Sequence, residues 1–403
     1  MDKGAHFYKC DFQVHSPRDA QWTGTKFGVL PDQIAGLSET DKETISNERK
    51  QFAKEYLDKI RQSGLNAIAI TDHHDVVFAK IIRQVANEEN VFFNQRNENQ
   101  RCITIFPGIE LSLVNPNCQA LLIFDSDFPD QHLDSVLGIL GITPSNEFDK
   151  NTVPTVRIPQ EHISELIHLH RKLDELPFCR GRYIVLPNVT FGGSSSLIRQ
   201  GFHDHYKKMP CIGGYTDKAL SQDSGWLNKL NGGDVNYGNK AIGVISTSDN
   251  RFEDGREFGK YFTWIKWSEP SAEAFRQACL AKESRLSQSN PDLPQIYITK
   301  IDVTQSKFLG SFSIDFSQQY NSLIGGRGTG KSTILEYLRW VLSDQTIITG
   351  DIDELNEIEK RRKNLIEKTL AQFEGEVRVT FILNGVHHIV KRNSVTNEIL
   401  LKI

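Results

Sequence analysis

The chain has 403 residues, 38% of them hydrophobic and 24% charged, with a formal net charge of -4. That length exceeds what one hydrophobic core usually fills and predicts two or three domains. The slight acidity excludes a uniformly basic nucleic-acid coat though not a local basic groove, and no run approaches the roughly 18 apolar residues that a membrane helix needs.

The first residues, Met1-Asp2-Lys3-Gly4-Ala5-His6, lack the apolar core of a signal peptide, so a cytosolic (cytoplasmic) location is expected. The six cysteines, at 10, 102, 118, 179, 211 and 279, show no C-x-x-C spacing. Reduced, partly buried thiols are expected rather than a disulfide framework or a zinc knuckle.

Residues 1–286 alternate short apolar runs with helical patterns, which predicts an α/β domain. Ile45, Phe52, Tyr56 and Ile60 share one helical face, and Gly64 stands where that helix should stop. The all-apolar run of residues 67–70 reads as a strand buried on both sides, and it ends in Thr71-Asp72-His73-His74-Asp75. Similar runs end in polar residues at 103–110, 183–188 and 242–250. In parallel α/β folds such strand ends carry the chemistry, so a barrel with a polar rim is expected. His162, His168 and His170 fall on a helical stretch, and His203 and His205 on a loop over the barrel mouth. Trp22, Arg18 and Arg251 lie near rim motifs, where they would contact phosphates or nucleic acid.

Residues 287–295 are polar and proline-containing, the best linker, and a second domain spans 296–403. It opens with strand-like text at 296–303. The run Lys360-Arg361-Arg362-Lys363 sits among glutamates and reads as a solvated helix face. The pattern G-x-x-x-x-G-K-[ST] is met by Gly325, Gly330, Lys331 and Ser332, with Gly326, Arg327, Gly328 and Thr329 between and Thr333 after. Such glycines let successive N–H groups point at phosphate oxygens. Lys331 would reach the β- and γ-phosphates, and the Ser332 hydroxyl would hold Mg2+ beside ATP. Strand-like text at 320–324 and a helical run at 333–342 supply the strand–loop–helix setting.

Phe312-Ser313-Ile314-Asp315-Phe316, then Asn321-Ser322-Leu323-Ile324 and the P-loop, resemble the start of an SMC/RecF-type ABC ATPase head. Residues 375–383 and 387–392 fit the antiparallel strands of its first lobe. Neither Walker B carboxylates nor a Leu-Ser-Gly-Gly signature follows Ser332. The expectation is a longer natural protein or a second subunit, with slow hydrolysis by these residues alone.

Asp11-Phe12-Gln13-Val14-His15-Ser16 resembles the opening His-x-His motif of the PHP (polymerase and histidinol phosphatase) family. Ile70-Thr71-Asp72-His73 resembles its second motif, Pro107-Gly108-Ile109-Glu110 its third and Ser248-Asp249-Asn250 its last. Residues 263–266 and 280–285 resemble bacterial fusions of a PHP domain to an SMC-like ATPase, the TrlF-like group. The resemblance implies a (β/α)7-type barrel in which divalent metals, Mn2+ or Zn2+, hydrolyse phosphoesters. It also implies metal ligands and catalytic groups at His15, His73, Glu110 and Asp249, and a further ligand at Asp19. Gln13, Gln119, Asn188 and Asn250 stand where the family has histidines, and amides bind such metals far more weakly. Asp72 and His74 flank His73 and are expected either to orient it or to close the loop after the strand.

The resemblance to these fusions implies an ATP-dependent, nucleic-acid-linked role in anti-phage defence. The ATPase would control a metal-dependent phosphoesterase or nuclease barrel, or a degenerate version of one. DNA and a second copy, joined through paired heads, are the expected partners, with no membrane. The alternatives are a non-catalytic barrel that senses DNA or a phage component, and a small-molecule phosphatase.

Overall fold

The computed structural model describes residues 4–150, 165–342, 357–396 and 399–402. His162 lies outside them. The chain divides into two compact units, His6–Pro291 and Asp292–Ile403, the second grouped with Met1–Ala5.

In the first unit, strands β1 (His6–Val14), β2 (Ala67–Ile70), β3 (Thr104–Ser112), β4 (Gln119–Phe124) and β5 (Tyr183–Pro187) lie side by side. Strands β6 (Gly213–Thr216) and β7 (Gly243–Ser246) form a parallel pair, and β8 (Thr263–Trp267) and β9 (Leu286–Ser287) extend the large sheet beyond β1. An isolated bridge between Asn188 and Tyr215 joins the end of β5 to β6, and another between Val14 and Asn250 returns the chain after β7 to β1. The sheet therefore curls. Parallel pairing holds for β1 with β2 and β2 with β3, whereas β4 runs antiparallel to both neighbours. The reason is local: only residues 113–118 separate β3 from β4, too few for the crossover helix that a parallel return needs.

The helix Glu39–Gln62 buries Ile45, Phe52, Tyr56 and Ile60 as its spacing predicts, starts on a Ser38 cap, and is followed by Gly64 at φ +73°. With the helix Val77–Gln95 it covers Ile68 and Ile70 on one face of β2. Ala67 and Ala69 face the other way, into a core with Phe12, Phe106, Leu121, Ile184 and Phe275. All four residues of β2 are buried, which explains its wholly apolar text.

In the second unit, β10 (Ile296–Ser306), β11 (Gly310–Asp315), β12 (Glu376–Leu383), β13 (Val386–Asn393) and β14 (Ile399–Lys402) pair antiparallel in the order β11-β10-β12-β13-β14. The helix Lys331–Leu342 lays Tyr337, Trp340 and Val341 on Ile301, Val303, Val377 and Val379. Residues 320–324, strand-like in sequence, form no strand here, and Tyr320 and Ile324 are almost fully exposed. The basic run 360–363 is helical, within Glu357–Thr369, and Arg362 pairs with Glu336 at 3.1 Å.

Candidate functional site

The polar cluster forms where β1, β2 and β3 and the segment after β7 end. Pairing of β1 with β2 slips between Asp11 and Val14. Beyond the slip Val14 packs on the helix-covered side, and Gln13 and His15 both reach the cluster. A bridge between His73 and Glu110 ties the end of β2 to β3. Asp249 has φ +53°, an uncommon turn for a residue with a side chain, and it redirects the chain as it leaves β7.

These frames bring His15, Asp19, His73, Glu110 and Asp249 together. His15 directs Nδ1 at Asp19 Oδ2 (3.0 Å) and Nε2 at Asp249 Oδ1 (2.9 Å). His73 meets the same Asp19 Oδ2 through Nδ1 at 2.8 Å and through its backbone N–H at 3.2 Å. Glu110 Oε2 lies 3.4 Å from Nε2 of each histidine. Two triads, His15–Asp19–His73 and His15–Glu110–Asp249, have ligand atoms close enough to share a metal ion. Except for Asp249, every member is buried. Glu110 Oε2 is a buried oxygen that accepts no hydrogen bond, in the middle of the group. Buried polar atoms rarely stay unpaired, so this one marks a place suited to a cation.

The charges are tightly coupled. Burial and Arg251 oppose protonation of His15, but Asp19 and Asp249 outweigh them and hold its pKa well above the usual imidazole value. Burial raises Glu110, yet His73, His15 and Arg251 prevail and hold it down at about 2. Desolvation likewise opposes ionisation of Asp19, and His15, His73 and Arg251 pull it far below the usual range.

Three of the four amides expected in place of histidines do serve the cluster. Gln13 Nε2 donates to Glu110 Oε1 at 3.2 Å, and Gln119 Nε2 is 3.2 Å from His73 Nε2. Asn188 Nδ2 donates to the Tyr215 hydroxyl, which donates on to Glu110 Oε1 at 3.1 Å. The fourth expectation needs correction. Asn250 turns away, donating to Tyr56 Oη and the Phe252 carbonyl. Arg251 is the residue that faces the carboxylates, 2.7 Å from Asp19 Oδ1 and 2.9 Å from Asp249 Oδ1. Of the two roles expected for Asp72 and His74, orienting the His73 ring is not seen, since neither is hydrogen-bonded to it; both instead tie the loop after β2 to its neighbours. Asp72 accepts from Ser16 N–H at 2.7 Å and from its hydroxyl, and His74 Nε2 accepts from Ser112 N–H at 3.1 Å. Tyr215 was not singled out by sequence, because the glycine-rich β6 around it carries no motif.

His203 and His205 lie on the short helix His203–Lys208 rather than on the expected loop, and His170 packs against Tyr183 and Cys211. Arg18 is buried and pairs with Asp75 at 2.8 Å, a structural partner rather than a free cation. Trp22 lies in the core with Phe52 and Tyr56. All six cysteines are free thiols.

In the second unit, Gly325 to Ser332 turns into the helix that starts at Lys331. Gly328 and Gly330 take φ +83° and +90°, conformations that favour glycine. Lys331 Nζ donates to the carbonyls of Gly325 and Gly326, each at 2.6 Å, and Thr329 Oγ1 donates to Gly326 O at 3.0 Å. The first backbone N–H groups of this helix lack intrahelical partners, as an anion-binding helix start requires.

Residues 306–400 match the family model described as an AAA domain, so the second unit contains an AAA-type P-loop domain. No curated protein matches the sequence. Among solved structures, the chain is similar to a two-domain protein from Bacteroides vulgatus ATCC 8482 that contains a predicted PHP-like metal-dependent phosphoesterase. Identity there is 12%, over 77% of this chain and 84% of that one, with a TM-score of 0.37. It is also similar to a Bifidobacterium adolescentis ATCC 15703 protein described as a metal-dependent phosphoesterase, at 10% identity over 66% and 94% of the chains, with a TM-score of 0.37. No helix among the described residues is long and apolar enough to cross a membrane.

Proposed function

We propose that this protein is a cytoplasmic, ATP-dependent defence protein acting on nucleic acid, in which a P-loop domain controls a PHP-like barrel of phosphoesterase type. The observation that carries the barrel's part is the convergence of His15, Asp19, His73, Glu110 and Asp249 around Glu110 Oε2, which accepts no hydrogen bond. Two imidazoles and three carboxylates suit Mn2+ or Zn2+. Such an ion, when bound, supplies a Lewis acid for a phosphoryl oxygen and a hydroxide at neutral pH. The chain's own groups set the conditions. Gln13 and Tyr215 fix Glu110 through its other oxygen, Asp19 aligns both imidazoles, and burial keeps bulk water from competing.

For the second unit, Lys331 is held by two loop carbonyls in the position from which a phosphate would draw it. Ser332 and Thr333 follow at the helix start, with Ser332 as the Mg2+ ligand beside ATP. Two such heads, of the ABC/SMC kind, would clamp together in a homo-oligomer and pass the nucleotide state to the barrel. DNA is the partner that this reading assigns to the barrel.

A second reading has one observation of its own. Arg251 already neutralises the carboxylates that a metal would use, which favours a barrel that recognises DNA or a phage component without cutting it. Full-length protein incubated with Mn2+ and labelled DNA separates the two. Cutting that Glu110→Ala and Asp249→Ala abolish supports the enzyme. Absence of cutting, with DNA binding retained, supports the sensor.

A further inference from the structure

The carboxylates of the barrel cluster already have a cation among them, supplied by the chain. Arg251 NH1 is 2.7 Å from Asp19 Oδ1, and NH2 is 2.9 Å from Asp249 Oδ1 and 3.6 Å from Glu110 Oε2. The guanidinium thus spans all three carboxylates, and its side chain is only 12% exposed.

Its placement is not an accident of a loose surface residue. The backbone on either side is locked: His15 N–H donates to Asn250 O at 2.9 Å and Thr23 N–H donates to Arg251 O at 2.8 Å. Bridges from Val14 to Asn250 and from Thr23 to Phe252 flank the same stretch. The left-handed Asp249 and this double clamp deliver the arginine inward and turn Asn250 outward.

The two triads are affected differently. In the His15–Glu110–Asp249 triad, the Asp249 oxygen bonded to Arg251 is the one that also meets His15 Nε2, and Glu110 Oε2 faces both. A metal ion there would need the space and the oxygen that NH2 holds. In the His15–Asp19–His73 triad, the imidazoles use Asp19 Oδ2 while Arg251 uses Oδ1. Arg251 therefore leaves Asp19 Oδ2 to the two imidazoles. A planar, permanently charged fork with several donors suits the spanning role, whereas a lysine ammonium offers one point of charge.

We propose that the Arg251 guanidinium is the resident cation of the barrel, filling the place of a divalent ion between Asp249 and Glu110. Only the His15–Asp19–His73 triad is left to take a metal. This inference rests on the metal-site reading above and restricts it: the barrel is a one-metal site at most. It applies whether the metal serves hydrolysis or only holds a ligand.

The test uses full-length protein without nucleotide, stripped with chelator and then equilibrated with Mn2+ alone. Bound metal is counted by mass spectrometry, and electron paramagnetic resonance reads whether two Mn2+ ions are spin-coupled. Wild type is expected to show no coupled pair. Arg251→His and Arg251→Met are expected to take up one further equivalent and to show the coupled signal, while Arg251→Lys, which keeps the charge, does not gain. A coupled pair in wild type overturns the proposal and leaves the metal-site reading standing. Equal uptake in wild type, Arg251→His and Arg251→Met also overturns it, and if that uptake is zero the metal-site reading falls too. Should Arg251→Met fail to fold, Arg251→His decides.

Discussion

The rings of His15 and His73 lie nearly parallel, 12° apart in plane with centroids 5.6 Å apart, and both aim Nδ1 at one oxygen of Asp19. A single buried carboxylate therefore sets the orientation of both imidazoles, while Arg251 holds its second oxygen.

Asp19→Ala removes at once the partner of the His15 and His73 rings, of Arg251 and of the Gln21 and His73 N–H groups. Breaking buried charge pairs by deleting one member costs about 3–5 kcal/mol. For a unit of this size that corresponds to a melting point lower by roughly 6–20 °C. Thermal unfolding of the full-length protein checks it, and a shift under 2 °C would contradict the geometry described.

The metal-free protein should lose stability on the alkaline side. The His15 pKa is raised above 6.5 by Asp19 and Asp249, against the effects of burial and Arg251. A group raised on folding contributes fully below its unfolded pKa, and the contribution fades as pH rises through the folded value. Glu110 works in the opposite sense. Lowered from 4.5 to about 2, it contributes above 4.5 and the contribution fades as pH falls through about 2. Asp11, raised by burial to about 7, adds a loss of its own up to that value, so melting points should fall through neutral pH and go on falling above about 7, where His15→Gln should lessen the fall. Mn2+ affinity should rise over the same interval, because the metal displaces the proton.

Tyr215→Phe deletes the hydrogen bond to Glu110 Oε1 and strands Asn188 Nδ2. Gln13 still donates to that oxygen, so the loss should be about 1–3 kcal/mol rather than collapse. Urea denaturation of wild type, Tyr215→Phe and the double variant with Gln13→Leu would show whether the two donors are coupled. Simple additivity would mean that they act independently.

Lys331→Ala should weaken binding of a fluorescent ATP analogue at least tenfold while leaving the nucleotide-free protein within about 0.5 kcal/mol of wild type. The lysine is half-exposed and bonded only to loop oxygens. Gly330→Ala should instead reduce both. Its φ is +90°, and an added Cβ would fall 2.4 Å from Leu309 Cδ2. If both variants bound the analogue as wild type does, the phosphate-cradling role of the loop would be wrong.

Much of this was visible in the text of the chain, and the gaps have physical causes. The face of the first long helix followed from spacing, because burial on one side of a helix repeats every three or four residues. The all-apolar β2 announced both its burial and the polar residues at its end. The P-loop announced itself because glycine is demanded at left-handed positions. Arg251 was recognised as a rim residue, but not as the one that enters the cluster in place of Asn250. That choice is made by the left-handed backbone of Asp249, which no spacing rule encodes. The strand-like run before the P-loop was misleading for a related reason: apolar text states a preference, and pairing needs a neighbour.

The salt bridge between Asp19 and Arg251 joins residues 232 positions apart. During synthesis the acidic members at 19 and 110 emerge long before their balancing guanidinium. A nascent barrel therefore carries these two carboxylates with their histidines but without their guanidinium until the segment after β7 leaves the ribosome. A product cut short before it would hold the buried carboxylates of Asp19 and Glu110 without the guanidinium that spans them, open to quality-control proteases.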